Sequence, residues 1–344
     1  MSKHYLITGG AGFIGSNYVN RLLTRRVAVT VYDNLSRAGA ERNLAWLHDT
    51  HGADAFDLVV GDLRDASLLA TTARNADVIV HLAGQVAVTT SVNHPRKDFE
   101  DNALGTFNLL EAARLSGRNP IVLYASTNKV YGGMEDVDVV EKEDSYHYAD
   151  LVYGVPETQP LDFHSPYGCS KGAGDQYVRD YQRIYDLPTV VLRQSCIYGP
   201  RQFGIEDQGW VAWFVIAAVL GKPITIYGDG KQVRDVLYVD DLLDAYDAAI
   251  DRINVAAGRV YNVGGGPENT LSIWRQFGPM LESLLGEEIP VSHDDWRPGD
   301  QRVYVSDIRK AQRELGWQPQ VSVQEGIRRL FEWVCAHRNL FTQT

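Results

Sequence analysis

The stretch Tyr5-Leu6-Ile7-Thr8-Gly9-Gly10-Ala11-Gly12-Phe13-Ile14-Gly15 constrains this chain more than any other. A short apolar run of strand character empties into a glycine-rich turn, and that turn opens an apolar-periodic segment reaching about Arg26. Gly9 lets the backbone turn sharply, and Gly12 keeps a side chain away from a pyrophosphate. Gly15 lets the new helix lie close to the strand. The first helical residues, Phe13 and Ile14, then offer free N–H groups and the positive end of the helix dipole. A second strand, residues 27–32, ends in Asp33 and Asn34. An acid just past that strand is where the adenosine ribose hydroxyls of a dinucleotide are held. The stretch is a dinucleotide site.

The alternation continues through the first half. Strands are expected at 56–60, 77–81, 120–125 and 189–193, with helical spacing between them, clearest from Asn102 to Ala113. Buried runs alternating with helices predict an α/β fold, a doubly wound parallel sheet of Rossmann type. Ligands of such sheets gather beyond the carboxyl ends of the strands, where Asp33, Asp62, Leu82-Ala83-Gly84-Gln85 and Ser126-Thr127 fall. Residues 132–163 read as a long acidic loop within a dinucleotide-binding domain over 1–198. Residues 199–344 read as a smaller mixed α/β substrate domain interleaved with the sheet. There strands are expected at 224–227 and 236–239, and helices near 240–251, 270–285, 305–315 and 322–336.

Net charge of −11 argues against a nucleic-acid partner, because no basic face is present to neutralise phosphates. Three distant cysteines, Cys169, Cys196 and Cys335, form neither a disulfide framework nor a metal site. No apolar run reaches the ~18 residues of a membrane span, and the first strand leaves no room for a signal peptide. A soluble cytoplasmic protein is the expectation, with no metal.

Ser165-Pro166-Tyr167-Gly168-Cys169-Ser170-Lys171 is the second informative stretch. Ser165 suits an N-cap and Pro166 the first helical position, so Tyr167 and Lys171 share one helix face. A phenol ionises near ~10, too high for a base at neutral pH, but a neighbouring ammonium and an oxidised nicotinamide ring would favour the phenolate. Lowering that pKa by about three takes roughly 4 kcal/mol. Thr127, closing the strand at 120–125, can then hydrogen-bond a substrate alcohol and steer its proton to Tyr167. His81, ending a buried strand, reads as a satisfied core residue, Cys196 as packing, and Trp210 with Trp213 as one helix face in a core or an interface.

These features resemble the extended short-chain dehydrogenase/reductase family of nucleotide-sugar enzymes, over nearly the whole chain. The resemblance rests on Gly9, Gly12, Gly15, Asp33, Gly61-Asp62-Leu63, Asn102 through Ala113, Thr127, Tyr131-Gly132, Tyr167 with Lys171, Arg234, Arg297-Pro298-Gly299-Asp300 and Leu315-Gly316-Trp317. It implies NAD as cofactor, with Asp62 and Leu63 flanking the adenine and Leu82, Ala83, Gly84, Asn102, Tyr167 and Lys171 completing its site. It implies catalysis by Thr127, Tyr167 and Lys171, and a nucleotide-sugar held by Gln85, Thr127, Asn128, Gln202, Arg234 and Arg297, the two arginines on its pyrophosphate. A homo-oligomer is also implied.

Within the family, residues 81–87, 126–132, 161–171, 199–203 and 207–211 are similar to those of the CDP-tyvelose (CDP-paratose) 2-epimerases. Sugar 4,6-dehydratases follow the strand-end threonine with an Asp-Glu pair, and here Asn128 and Lys129 stand instead. An amide cannot protonate a leaving hydroxyl, so elimination is disfavoured. The resemblance therefore implies an epimerase that favours a CDP-sugar. The UDP-hexose 4-epimerases, which usually carry asparagine at the position of Cys196, are the alternative. A non-catalytic dinucleotide-sensing protein would need none of Thr127, Tyr167 and Lys171.

Overall fold

The computed structural model describes residues 3–297 and 300–342. Pro298 and Gly299, two of the residues carrying the family resemblance, lie outside the described residues. The backbone packs as two compact units, and neither is a continuous half of the chain. Residues 1–130, 165–193 and 246–261 form the first; residues 131–164, 194–245 and 262–344, nearly as many, form the second.

Seven strands make the central sheet: β1 His4–Thr8, β2 Ala28–Asp33, β3 Asp57–Val60, β4 Val78–His81, β5 Ile121–Thr127, β6 Thr189–Gln194 and β7 Val260–Val263, in the order β7-β6-β5-β4-β1-β2-β3. The pairs from β3 through β5 are parallel, and Thr8 stands level with both Tyr32 and His81. The reversal of chain direction around β1 opens the switch-point crevice where this fold binds ligands. Leu6, Tyr32, Ile79, Val122 and Val191 from the strands pack with Leu69, Leu109 and Val178 from the helices into one buried core. Each strand is an apolar run because it is covered on both faces. β3, at the edge, leaves Leu58 and Val60 exposed. The fold is the doubly wound, Rossmann-type α/β sheet that the alternation predicts.

The second unit is built on the strand Val233–Tyr238, which pairs antiparallel with Thr270–Ser272 and parallel with Val303–Tyr304 and Cys196–Tyr198. Beneath it Asp235 is fully buried, and Ser195 Oγ (2.5 Å), Gly266 N and Ser306 N (both 3.1 Å) donate to its carboxylate. Burial pushes this carboxyl up, and the three donors oppose it. The helix Trp210–Leu220 is buried on nearly all sides, whereas Val323–Ala336 is amphipathic and capped by Ser322, whose Oγ accepts from Glu325 N.

Several sequence boundaries move. The strand expected at 236–239 begins at Val233, and the helix expected over 270–285 starts only at Phe277. Thr270–Ser272 is instead drawn into strand by its ladder to residues 233–235, and Gln276 N donates to Ser272 Oγ just before the helix. The helix near 305–315 is Arg309–Leu315, because Val303–Tyr304 pairs in the sheet. Inside the acidic stretch 132–163 the pieces Val139–Glu141 and Tyr146–Tyr148 form a small antiparallel ladder. β7 had no expectation at all. Its four residues carry no distinctive period, and only the sheet identifies them.

Candidate active site

The glycine turn leaves β1 and enters the helix Phe13–Thr24 with a geometry that few residues permit. Gly9 has φ +71°, and a Cβ there would stand 2.7 Å from Ala83 N. A Cβ on Gly15 would stand 2.1 Å from Gly9 O, so helix and turn approach as only glycine allows. Beside Gly12 the sole obstacle to a Cβ is Gly9 O at 3.1 Å, and no side chain caps the first N–H groups of the helix. The result is an open cradle of donors at a helix N-terminus.

At the end of β2, Asp33 is mostly buried. Its Oδ2 accepts from Ala11 N (3.0 Å) and its Oδ1 from Leu35 N (2.8 Å). Burial pushes its carboxyl up, and the two backbone donors pull it down. Next to it, Asn34 Nδ2 donates to Asp62 Oδ2 (3.2 Å), and Arg64 grips both oxygens of Asp62 at 2.8 Å. That grip holds the Asp62 carboxyl well below the usual range. Leu63 is buried, and its carbonyl accepts from Asn108 Nδ2 (2.9 Å).

Beyond β4 the chain runs through Leu82, Ala83 and Gly84, and there Gln85 closes on its own loop: Nε2 donates to Ala87 O (2.6 Å) and Oε1 accepts from Ala87 N (2.7 Å). Its amide is thus engaged at both ends. Asn102 lies in one turn of π-helix, Glu100–Leu104, and its Oδ1 is buried without a hydrogen-bond partner among the described residues. An orphaned buried acceptor of this kind fits a ligand that brings a donor. His81 is the satisfied core residue the sequence suggested, between Thr8 Oγ1 (2.8 Å) and Thr106 Oγ1 (3.1 Å). Burial and Lys171 lower its pKa to about 3, so it stays neutral.

Tyr167 and Lys171 share one face of the helix Ser165–Tyr185 and are both buried. Ser165 starts that helix with φ +66°, and its Oγ accepts from Gly168 N (3.2 Å), the expected cap in an unusual backbone. Burial raises the Tyr167 phenol to about 12, against which a hydrogen bond with Thr127 pulls down. Lys171 Nζ donates to Ala125 O (2.6 Å) and stands 4.4 Å over the Tyr124 ring. Burial lowers it to about 8 despite Asp175 and Asp98. Thr127 Oγ1 donates to Asn128 Oδ1 (3.3 Å) and accepts from Lys129 N (3.2 Å). The chain alone therefore keeps the phenol protonated.

The first unit thus gathers the glycine turn, Asp33, Asn34, Asp62, Leu63, residues 82–85, Asn102, Thr127, Asn128, Tyr167 and Lys171 at the carboxyl ends of its strands. The remaining three candidates belong to the second unit. Arg234, buried in its strand, donates to Asp300 Oδ1 (2.6 Å) and Val233 O (2.8 Å). Arg297 stacks 4.0 Å over the Tyr227 ring and reaches Asp207 (3.4 Å) and Glu206 O (3.3 Å). Gln202 Nε2 donates to Ile197 O (3.3 Å), and its Oε1 is a buried acceptor without a partner among the described residues. Asp98 and Asp175, which sequence reasoning passed over, join Ser126 and Ser170 in a buried polar set behind the tyrosine and lysine. The four-residue spacing of Asp98 and Asn102 was the one available signal.

A parallel sheet with a glycine cradle at its switch point and a buried Tyr-x-x-x-Lys pair defines a dinucleotide-dependent enzyme of the extended short-chain dehydrogenase/reductase class. Residues 6–330 match the family described as GDP-mannose 4,6 dehydratase, and the chain belongs to it. It is 45% identical over 335 residues to the CDP-paratose 2-epimerase of Salmonella typhi, covering 95% of this chain and 98% of that one. It is 36% identical over 329 residues to the UDP-glucose 4-epimerase of Mycolicibacterium smegmatis, covering 95% and 97%. A crystal structure of a Streptomyces venezuelae dTDP-glucose 4,6-dehydratase with NAD and TYD bound superposes with a TM-score of 0.83 at 33% identity, covering 98% of each chain.

Proposed function

We propose that this protein is a nucleotide-sugar 2-epimerase that uses NAD and takes CDP-paratose or a close CDP-sugar. The similarity to the Salmonella typhi 2-epimerase along almost the entire chain carries the reading. The absence of an Asp-Glu pair after Thr127 supports it, since the Asn128 amide cannot protonate a leaving hydroxyl as a carboxylic acid can. The glycine cradle, Asp33 and the orphaned Asn102 Oδ1 fit a dinucleotide.

A sugar carbon bearing a hydroxyl holds its hydrogen too tightly for any side chain to remove as a proton. Bound NAD would take that hydrogen as hydride and return it, for no net redox change. Tyr167 accepts the hydroxyl proton, relayed by Thr127, and later gives it back; Lys171 keeps the phenolate favourable. Between the two transfers the C2 ketosugar turns its opposite face. Arg234 and Arg297 hold the diphosphate, and Gln85, Asn128 and Gln202 contact the rest of the substrate.

Turnover of CDP-paratose in D₂O, followed by NMR, tests this. Early product should carry protium at C2, with slow exchange confined to C3. Deuterium entering C2 in step with turnover would refute the hydride route. Inversion at C4 of a UDP-hexose, with C2 untouched, would move the protein to the 4-epimerase reading that the Mycolicibacterium relative represents.

Asp33 favours NAD over NADP, because its carboxylate accepts ribose hydroxyls and repels a 2′-phosphate. Calorimetric titration should show NAD binding at least about tenfold tighter than NADP. Equal affinities, or NADP(H) released from the denatured protein, would show that Arg37, a cation four residues past Asp33, offsets the acid.

The helices Gly105–Leu115 and Ser165–Tyr185 expose apolar side chains, Phe107 and Leu115 on the first and Tyr177, Ile184 and Tyr185 on the second, with Phe107 against the edge of Tyr177 (5.9 Å). Such exposed apolar side chains support a homo-oligomer. Light scattering should find a dimer or larger that Ile184→Glu dissociates. A monomeric wild-type protein would contradict it.

A further inference from the structure

Behind the helix of Tyr167 and Lys171 lies a carboxylate that the proposed chemistry does not use. Asp98, on the short helix Pro95–Phe99, is 1% exposed. Both its oxygens act as acceptors: Ser170 Oγ donates to Oδ2 (2.5 Å), and Asn102 Nδ2 donates to Oδ1 (3.1 Å). Asn102 Nδ2 also donates to Ser170 Oγ (3.2 Å), which closes a three-member ring of hydrogen bonds.

The ring has two consequences. Because Asn102 spends its NH₂ on Asp98 and Ser170, its amide can point only one way, and Oδ1 becomes the free acceptor, turned toward Gly84. The turn of π-helix, Glu100–Leu104, sets Asn102 where it can reach Asp98, and such turns mark sites where side-chain placement matters. Second, a negative charge is buried among the groups that handle the proton. We infer that Asp98 is a positioning residue of the active site: its carboxylate fixes Ser170 and the Asn102 amide, and supplies the buried negative charge that faces Tyr167 and Lys171.

The electrostatics agree in sign. Asp98 pushes both the Tyr167 phenol and the Lys171 ammonium up, keeping the first protonated and the second charged. Asp175 also raises Lys171 from its own helix, but Arg193 on β6 pairs with it at 2.8 Å, whereas Asp98 is held by Ser170 and Asn102, both neutral. Burial pushes the Asp98 carboxyl up and Asp101 on the adjoining turn adds to this, while the hydrogen bonds from Ser170 and Asn102 and the charge of Lys171 pull it down. His81 on β4 stays neutral and contributes no charge.

The inference rests on the proposed function only in taking Tyr167 as the proton-handling group, and its test needs no substrate. Protein labelled with ¹³Cζ-tyrosine and saturated with NAD is titrated by NMR, and the Tyr167 signal is identified by its loss in Tyr167→Phe. In Asp98→Asn, which keeps the acceptor for Ser170, the midpoint of Tyr167 should fall by about 0.5 or more on the pH scale. Asp98→Ala gives the same reading should the asparagine variant fold poorly. NAD affinity should drop in both, because the Asn102 amide is released, and Ser170→Ala should leave the Tyr167 midpoint within about 0.2 of wild type, the charge being retained. An unmoved or raised midpoint in a folded Asp98 variant would reduce Asp98 to a packing residue and overturn the inference.

Discussion

Tyr167→Phe is expected to lose about 10²–10⁴-fold in turnover while folding and binding NAD as the parent does. The ring keeps its packing within the helix Ser165–Tyr185, and only the oxygen that takes the proton is lost. The magnitude follows from what the phenol must overcome. With burial holding it at about 12, roughly one molecule in 10⁵ carries a phenolate at pH 7 in the absence of a ligand cation. Lys171 alone does not reverse this, since its Nζ is directed to Ala125 O and it too is desolvated. Its value of about 8 fixes the sign of a second effect. Below that pH Lys171 is cationic and supports the phenolate; above it the charge is lost, so turnover should decline as pH rises through about 8. Lys171→Met should remove that alkaline limb and weaken NAD binding. A phenylalanine variant within a few-fold of wild type would take Tyr167 out of the mechanism.

Much of the first unit was legible because each signal has a local cause. Gly9 and Gly15 sit where a Cβ would collide with backbone, so their spacing encodes a geometry rather than a preference. Asp33 ends a strand that is buried continuously from Val29 onward, and Tyr167 and Lys171 lie one helical turn apart. What stayed hidden depends on contacts distant in sequence. Asp98 meets Ser170 across 72 positions and Asp175 meets Arg193 across 18, and nothing local marks either pair. The closure of the Gln85 amide on Ala87 was equally hidden, because it depends on how the loop after β4 turns rather than on any propensity. Thr270–Ser272 took strand form against a helical reading because the neighbouring strand offered it a ladder.

The largest stability effect should come from Arg193→Leu. Arg193 and Asp175 are 2% and 0% exposed at their side chains, and they meet through two parallel bonds, Nε to Oδ2 at 2.8 Å and one terminal nitrogen to Oδ1 at 2.9 Å. A fork-to-fork pair in this geometry satisfies both charges, but it offsets a large desolvation cost rather than adding freely to stability. Removing only the arginine leaves Asp175 with Ser126 Oγ (2.9 Å) and Gln176 Nε2 (2.8 Å), two neutral donors facing a full buried charge. Breaking a buried pair in this way costs about 3–5 kcal/mol, which should lower the melting temperature by roughly 10 °C. The double variant Asp175→Asn/Arg193→Leu separates the stranded charge from lost packing. Asparagine still accepts from Ser126 and carries no charge, so most of the loss should return. Calorimetric melting of the three proteins decides the matter. If Arg193→Leu melts within about 2 °C of wild type, or if the double variant is no better than the single, then the cost does not come from a stranded carboxylate. Because Ser126 precedes Thr127 and Asp175 follows Lys171 by one turn, this one carboxylate ties β5, through Ser126, and β6, through Arg193, to the helix of Tyr167 and Lys171. Turnover in the single variant should therefore fall before the protein melts, and it should recover with the double.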